Sequence, residues 1–127
     1  MTAHWQRACS TMASHHRGAI LHAMFELADG VSEQEFAAAF AAFFEHLRDK
    51  GFALSYRIMR RKPLEGFGMK LPGFAHYAAI EFADLDHEQA CYDYVATDAE
   101  PIRSLHRAMN TKVKRGSAYF FVSTDIG

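Results

Sequence analysis

A histidine, a tyrosine and three charged side chains are the residues of this chain best suited to chemistry. They are His22, Glu26, Arg57, Tyr77 and Glu81. The alternation of apolar and polar residues around them predicts that all five lie on one face of a β-sheet, within one cleft. A histidine beside a carboxylate can act as a general base, and a tyrosine or an arginine can stabilise an enolate or phenolate oxygen. This equipment is suited to proton abstraction, or to oxygenation of an activated substrate carbanion.

We interpret His22 as the base and Glu26 as the residue that orients it. Arg57 and Tyr77 would bind the substrate oxygen, and Glu81 would line the same cleft. The alternative is a polar network whose hydrogen bonds are all satisfied at an interface between two subunits, because clustered ionisable groups mark functional sites only statistically.

A second group of polar residues could bind an acidic ligand. His106 and Asn110 are four residues apart, so they share one face of a predicted helix. Together with Arg57, Arg60 and Arg61 they would surround the mouth of the cleft, where arginine side chains match carboxylates. The interpretation that we favour for this helix is a solvated basic surface, since further lysines and arginines surround it.

Histidines and cysteines do not form a metal-binding pattern. The chain has eight His and two Cys, and Cys9 and Cys91 are far apart and in no CxxC pattern. His15 and His16 are adjacent, which is weak evidence for a metal site without further ligands at fixed spacing. His76 lies within an apolar alternation, which is typical of a hydrogen-bonded core histidine. We expect no metal and no cofactor.

Length and charge restrict the class of protein. A chain of 127 residues is expected to form one domain, and half of its residues are apolar. The net charge of −1 produces no field that would recruit nucleic acid. No apolar run approaches the roughly 18 residues of a membrane span, and the N-terminus lacks the apolar core of a secretory signal. We expect a cytoplasmic protein with reduced cysteines, no membrane contact and no nucleic-acid partner.

The first 17 residues differ from the remainder of the chain. Trp5, Ala8, Cys9 and Met12 recur at the spacing of one face of a short helix. The alternatives are a frayed extension, or a true translation start at Met12. The sequence therefore predicts an N-terminal extension, residues 1–17, followed by one domain, residues 18–127.

The hydrophobic period of this domain changes in the order strand, helix, strand, strand, helix, strand. The predicted strands span residues 19–28, 52–60, 74–82 and 117–124, and a long loop spans residues 61–73. The first helix begins after Ser32, where Glu35 completes a capping box, and it ends before Gly51. The second helix is capped by Asp86, and a further helical stretch carries Pro101 in its first turn.

This order predicts an α+β ferredoxin-like sandwich. Two right-handed βαβ units give a four-stranded antiparallel sheet in the order 4-1-3-2, with the helices on one face. The other face carries Ile20, Met24, Met59, Tyr77 and Phe121, which make it too apolar to be left in water. We expect a second copy of the same sheet to cover it, which would form a dimeric α/β barrel.

Two segments resemble short, uncharacterised bacterial proteins of the dimeric α/β-barrel superfamily. They are SYRIMRRK, residues 55–62, and SLHRAMNTKV, residues 104–113, and the resemblance covers residues 18–126. It implies a ferredoxin-like homodimer. It implies no activity, because the site motifs of the better-known relatives do not transfer to this chain. Those relatives are cofactor-independent monooxygenases, EthD-like proteins, muconolactone isomerases and haem-degrading enzymes.

The leading hypothesis is a small-molecule enzyme or ligand-binding protein, most concretely a cofactor-independent monooxygenase or isomerase. The alternative is a non-catalytic dimeric binding or stress-related protein. An RNA-binding domain has the same order of elements, but here three extra residues separate the two ends of its third-strand pattern. An odd insertion reverses the face of the later side chains, so this reading is disfavoured.

Overall fold

The computed structural model describes residues 18–62 and 73–126. Its elements, in chain order, are β1 (Ala19–Phe25), α1 (Glu33–Asp49), β2 (Ser55–Arg60), β3 (His76–Phe82), α2 (Leu85–Ala96), α3 (Ile102–Asn110) and β4 (Tyr119–Thr124). The predicted order of strands and helices is confirmed. The predicted extension, residues 1–17, and residues 63–72 of the predicted loop lie outside the described residues.

Helix α1 forms as its sequence predicts. The Ser32 hydroxyl accepts a hydrogen bond from the Glu35 main-chain N–H, and the Glu35 carboxylate accepts one from the Ser32 main-chain N–H. At the other end Gly51 adopts a positive φ of 84°, and the Phe52 N–H donates to the Leu47 carbonyl oxygen at 3.0 Å. Five apolar side chains of the helix are buried: Phe36, Phe40, Phe43, Phe44 and Leu47.

The four strands form one antiparallel sheet in the order β2-β3-β1-β4, as predicted. Leu21 lies opposite Ile80, and Ala23 lies opposite Ala78, so the small and apolar residues of β1 and β3 share one face. These residues belong to the core beneath α1, whose Phe40 ring lies 5.6 Å from the ring of Tyr56 on β2. The helices therefore cover the apolar face, and the mixed face lies on the other side of the sheet.

Several predicted boundaries were wrong by a few residues. Beyond Phe25, Leu27 makes only an isolated bridge with Val113, so β1 ends earlier than residue 28. Strand β2 begins at Ser55 because the main chain of residues 52–53 closes the end of α1 instead. The cap of α2 is Asp84, whose carboxylate accepts a hydrogen bond from the His87 N–H at 2.8 Å. The predicted cap, Asp86, lies in the first turn.

Edge strand β4 is poorly covered on both faces. Tyr119 and Phe121 are about half exposed on the mixed face, at 49% and 52%. On the helix side Phe120 is 66% exposed and Val122 is 38% exposed, so β4 lacks the helical cover that β1 and β3 have.

None of the described helices is long and apolar enough to cross a membrane.

Candidate functional site

The mixed face of the sheet, called the open face below, is centred on His22. One ring nitrogen, Nδ1, contacts the hydroxyl of Tyr77, and the other, Nε2, lies 2.7 Å from the hydroxyl of Ser123. The imidazole also stacks on Phe121, with ring centroids 4.3 Å apart and planes inclined by 10°. Both ring nitrogens therefore have partners, and one flat side of the ring is covered by an aromatic.

The register of the sheet explains these contacts. On β1, His22 lies opposite Ala79 of β3 and Phe121 of β4. Tyr77 lies two residues before Ala79 on β3, and Ser123 lies two residues after Phe121 on β4, so both are diagonal neighbours of His22 on the same face. Ala79 leaves room for the tyrosine to reach the imidazole. The prediction that His22 and Tyr77 share a face is correct, but the partnership with Ser123 was not anticipated.

Burial affects the protonation states of His22 and Tyr77 in this cluster. It lowers the pKa of His22 and raises the pKa of Tyr77, so a neutral imidazole faces a protonated phenol near pH 7. A phenol is a stronger donor than a serine hydroxyl, which favours the tautomer in which the Tyr77 O–H donates to Nδ1 and the Nε2–H donates to Ser123. In this tautomer neither nitrogen has a lone pair left to accept a substrate proton.

The predicted role of Glu26 as the residue that orients His22 is not supported. The main chain of Glu26 is held by the loop before β4, since its N–H donates to the Ser117 hydroxyl and its carbonyl accepts from the Lys114 N–H. The imidazole of His22 is instead oriented by Tyr77 and Ser123. Glu26 lies beyond the end of β1, two residues past the position that faces Tyr77.

The other predicted residues of the cleft lie further from His22. Glu81 is 8% exposed and accepts a hydrogen bond from the Ser55 hydroxyl at 2.8 Å, at the opposite end of β3 from Tyr77. Arg57 lies opposite Ala79 and is exposed. Strand β3 therefore lies between Arg57 on β2 and His22 on β1, and strands β2 and β1 are about 10 Å apart.

The three arginines expected to share an acidic ligand are separated from one another. Arg60 pairs with Glu33 at the start of α1, with an Nε–Oε2 distance of 2.9 Å, and His76 Nε2 lies 2.8 Å from the same carboxylate. These two hydrogen bonds hold the pKa of Glu33 at about 2. Arg61 instead lies 4.4 Å over the ring of Phe74, at the end of the sheet. The prediction of one arginine cluster with Arg57 is therefore wrong, whereas His76 is hydrogen-bonded as expected.

His106 and Asn110 lie on the opposite side of the sheet from Arg57, so the predicted shared site is also wrong for them. They line a cavity of about 350 Å³ between the sheet and the helices, called the helix-side cavity below. Its walls are largely apolar and include Phe36, Phe40, Phe43, Phe44, Phe82 and Phe120. The apolar stripe of α3, formed by Ile102, Leu105 and Met109, packs on the core and carries the adjacent His106 and Asn110 toward the cavity, whereas the surrounding basic residues favoured a solvated surface in the sequence.

His106 is the ionisable group best placed for chemistry in this cavity. Its ring lies 5.4 Å from the ring of Phe43. Burial lowers the pKa of His106, an effect that the charge of Asp98 opposes in part, so the imidazole is neutral near pH 7. Two other groups in the cavity wall are less suited to proton transfer. Burial raises the pKa of the Cys91 thiol to about 11. Burial and a hydrogen bond to Glu88 together raise the pKa of the Tyr92 hydroxyl well above its usual value.

The cavity opens between α3 and β4. Phe120 and Asn110 line it and are exposed, as is Ala96 at the end of α2, so these three residues mark its mouth. A largely apolar cavity of a few hundred cubic ångströms with a few convergent polar groups is the usual form of a small-molecule site. Within residues 18–62 and 73–126, no three His, Cys, Asp or Glu side chains are placed to hold a metal ion.

A family model matches residues 19–122, most of the chain. The chain belongs to the family of unknown function DUF6614. No curated protein sequence matches it significantly.

Solved structures with the same fold include proteins of quite different activity. A variant of SnoaB, a cofactor-independent oxygenase from Streptomyces nogalater, is 9% identical, with a TM-score of 0.59 over 87% of this chain and 94% of that one. A dimeric ferredoxin-like protein of unknown function from Jannaschia sp. CCS1 is 12% identical, with a TM-score of 0.58 over 84% and 97%. Hydroxynitrile lyase from Passiflora edulis is 7% identical, with a TM-score of 0.57 over 85% and 93%. At such identities the similarity confirms the ferredoxin-like fold alone.

Proposed function

We propose that this chain binds a largely apolar small molecule in the helix-side cavity and that His106 acts there as a general base. The observation that carries the proposal is a neutral imidazole in the wall of an open, phenylalanine-rich cavity. The catalytic role expected of His22 moves to His106, because both nitrogens of His22 are already engaged by Tyr77 and Ser123.

The proposed chemistry is the removal of an acidic proton from carbon or oxygen of the bound molecule. The free lone pair of a neutral imidazole accepts the proton, and the largely apolar walls of the cavity limit competition from water. The side-chain amide of Asn110, four residues on, is able to donate a hydrogen bond to the oxygen that gains charge. Return of the proton to a different carbon of the same molecule is an isomerisation, which needs no cofactor.

A cofactor-independent monooxygenation would begin with the same proton transfer. In that reaction dioxygen, a second substrate, would accept the electrons of the carbanion. The similarity in fold to a cofactor-independent oxygenase is consistent with this variant, and the similarity to a hydroxynitrile lyase is equally consistent with other proton-transfer chemistry. We propose proton abstraction as the step common to both.

Replacement of the base tests this function. The variant His106→Gln retains a polar side chain in the cavity wall but has no basic nitrogen, and the matched control is His46→Gln, whose imidazole bonds the Tyr94 hydroxyl at 2.7 Å. We expect turnover of a panel of enolisable aromatic and alicyclic ketones to fall at least about 100-fold in His106→Gln only, the usual contribution of a general base. Ligand binding without turnover in the wild type would favour the non-catalytic alternative, and equal turnover in both variants would exclude His106 as the base.

We further propose that the open face is covered by a second copy of this chain. The half-exposed Tyr119 and Phe121 lie on this face beside His22, and structures of similar fold are described as dimeric. The variant Phe121→Glu would place a charge in such an interface. The control Leu85→Glu alters a side chain of similar exposure, 52%, at the start of α2.

Light scattering at micromolar concentration distinguishes these cases. We expect a dimeric mass for the wild type and for Leu85→Glu, and a monomeric mass for Phe121→Glu. A monomeric wild type would contradict the proposed interface, as would a Phe121→Glu variant that remains dimeric.

A further inference from the structure

The two sides of the cavity mouth differ in charge. On β4 the mouth is bounded by Phe120, which is apolar and 66% exposed. On α3, residues three and four apart are neighbours on the helix surface. Arg107 therefore adjoins Asn110 at the mouth, and Arg103 adjoins both His106 and Arg107. A cationic edge faces an apolar edge across the opening.

The two arginines of this edge are not equivalent. Arg103 is engaged by Asp98, with 3.4 Å between Nε and the carboxylate and 2.9 Å between Nε and the Asp98 carbonyl oxygen. For Arg107, no ion pair or side-chain hydrogen bond is found within the described part of the chain. Arg107 is exposed, and it is three residues before Asn110, which lines the cavity.

Glu100, whose pKa is affected by the charge of Arg107, forms its hydrogen bonds with another residue. The carboxylate of Glu100 accepts hydrogen bonds from the main-chain N–H of Ser104 at 3.1 Å and from its hydroxyl at 2.8 Å. Glu100 therefore acts as a cap for the first turn of α3, and Arg107 affects it only through its charge. The carboxylate of Asp98 is likewise engaged by a residue other than Arg107, since it pairs with Arg103.

We propose that the ligand of this cavity is an amphipathic anion: its apolar body lies in the helix-side cavity and its carboxylate pairs with Arg107 at the mouth. This inference rests on the proposed function of the cavity and adds the chemical class of the ligand. A carboxylate inside the apolar cavity would lose its hydration, whereas at the mouth it retains water and gains a cation. The planar guanidinium matches a carboxylate with two parallel hydrogen bonds.

Matched pairs of probes test the inference by calorimetric titration. The probes are 2-naphthoate with 2-naphthamide, and decanoate with decanamide; each pair has nearly the same shape and differs in charge. We expect the wild type to bind the carboxylates about fivefold more tightly than the amides at low salt, the upper limit for a solvent-exposed ion pair. The difference should diminish as salt is added, because exposed charges are screened.

Variants assign the effect to one residue. Arg107→Gln should remove the preference for carboxylate and leave the affinity for the amides unchanged, and Arg107→Lys should restore part of the preference. The control is Arg57→Gln, an exposed arginine on the other side of the sheet. It should bind as the wild type does. Circular dichroism of each variant verifies that the fold is retained.

The possible failures are distinguishable. Equal binding of carboxylates and amides to the wild type would overturn the anionic class and leave the cavity as a site for neutral ligands. Loss of the preference in Arg57→Gln but not in Arg107→Gln would place the anion on the open face and overturn the inference. Failure of all four probes to bind the wild type would overturn both the inference and the proposed cavity function.

Discussion

Acid should weaken the folded state through His22. Burial lowers its pKa in the folded protein, while the unfolded chain retains the ordinary value of about 6.5. Above that pH the imidazole is neutral in both states and its hydrogen bonds are complete. As the pH falls below about 6.5, the unfolded chain binds the proton first, so the free energy of unfolding decreases until the pH passes below the lowered pKa.

The magnitude follows from the hydrogen bonds of the ring. Protonated His22 donates from both nitrogens, so the Tyr77 hydroxyl no longer has a lone pair to which it can donate. The Tyr77 O–H is then a partly buried donor without its acceptor, which costs about 1 kcal/mol. For a domain of this size that corresponds to a decrease of roughly 3–6 °C in Tm.

Urea unfolding at pH 7.5 and pH 5.0, at one fixed protein concentration, measures this effect. The variant His22→Gln cannot titrate and should lose the part of the pH dependence that His22 carries. His106 has a lowered pKa as well, so His106→Gln is the companion variant that separates its contribution. The carboxyl group of Glu33, with a pKa of about 2, stays ionised in this range. An equal pH dependence in wild type and His22→Gln would refute the reasoning, as would a wild type that becomes more stable at pH 5.0.

Two further predictions concern the core and the start of α1. Phe40 is 3% exposed and its ring lies 4.6 Å from that of Phe44, so Phe40→Ala should cost about 3–5 kcal/mol in urea unfolding. The substitution Ala38→Ser, at an exposed position of the same helix, should change stability by less than about 0.5 kcal/mol. Similar losses in the two variants would contradict the described core. Glu33 is held ionised by Arg60 and His76, so Glu33→Gln should lower Tm at pH 7. That difference should disappear as the pH falls from 4.5 to about 2, because the wild-type carboxyl is then protonated, and a constant difference would contradict the ion pair.

Local patterns were sufficient for the elements and for the faces of the strands. The capping box at Ser32 and the left-handed Gly51 define α1 because they satisfy main-chain groups within a few residues. Alternation placed His22, Tyr77 and Phe121 on one face, and the register confirms it. The cap of α2 was displaced by two residues because Asp84 and Asp86 are equally good capping residues by type, and only the extended backbone of Asp84 distinguishes them.

The site itself required the tertiary structure. The sequence determined that His22 and Tyr77 share a face and that His106 and Asn110 share a helix surface, since both follow from the period of one element. Only the packed structure showed that Ser123, and not Glu26, completes the partners of His22, because that contact joins strands 101 residues apart along the chain. Only the packing of α3 against α1 turned His106 toward the phenylalanines of the core and left a cavity beside the uncovered strand β4. A helix surface is amphipathic by sequence, but the direction in which it faces is decided by long-range contacts.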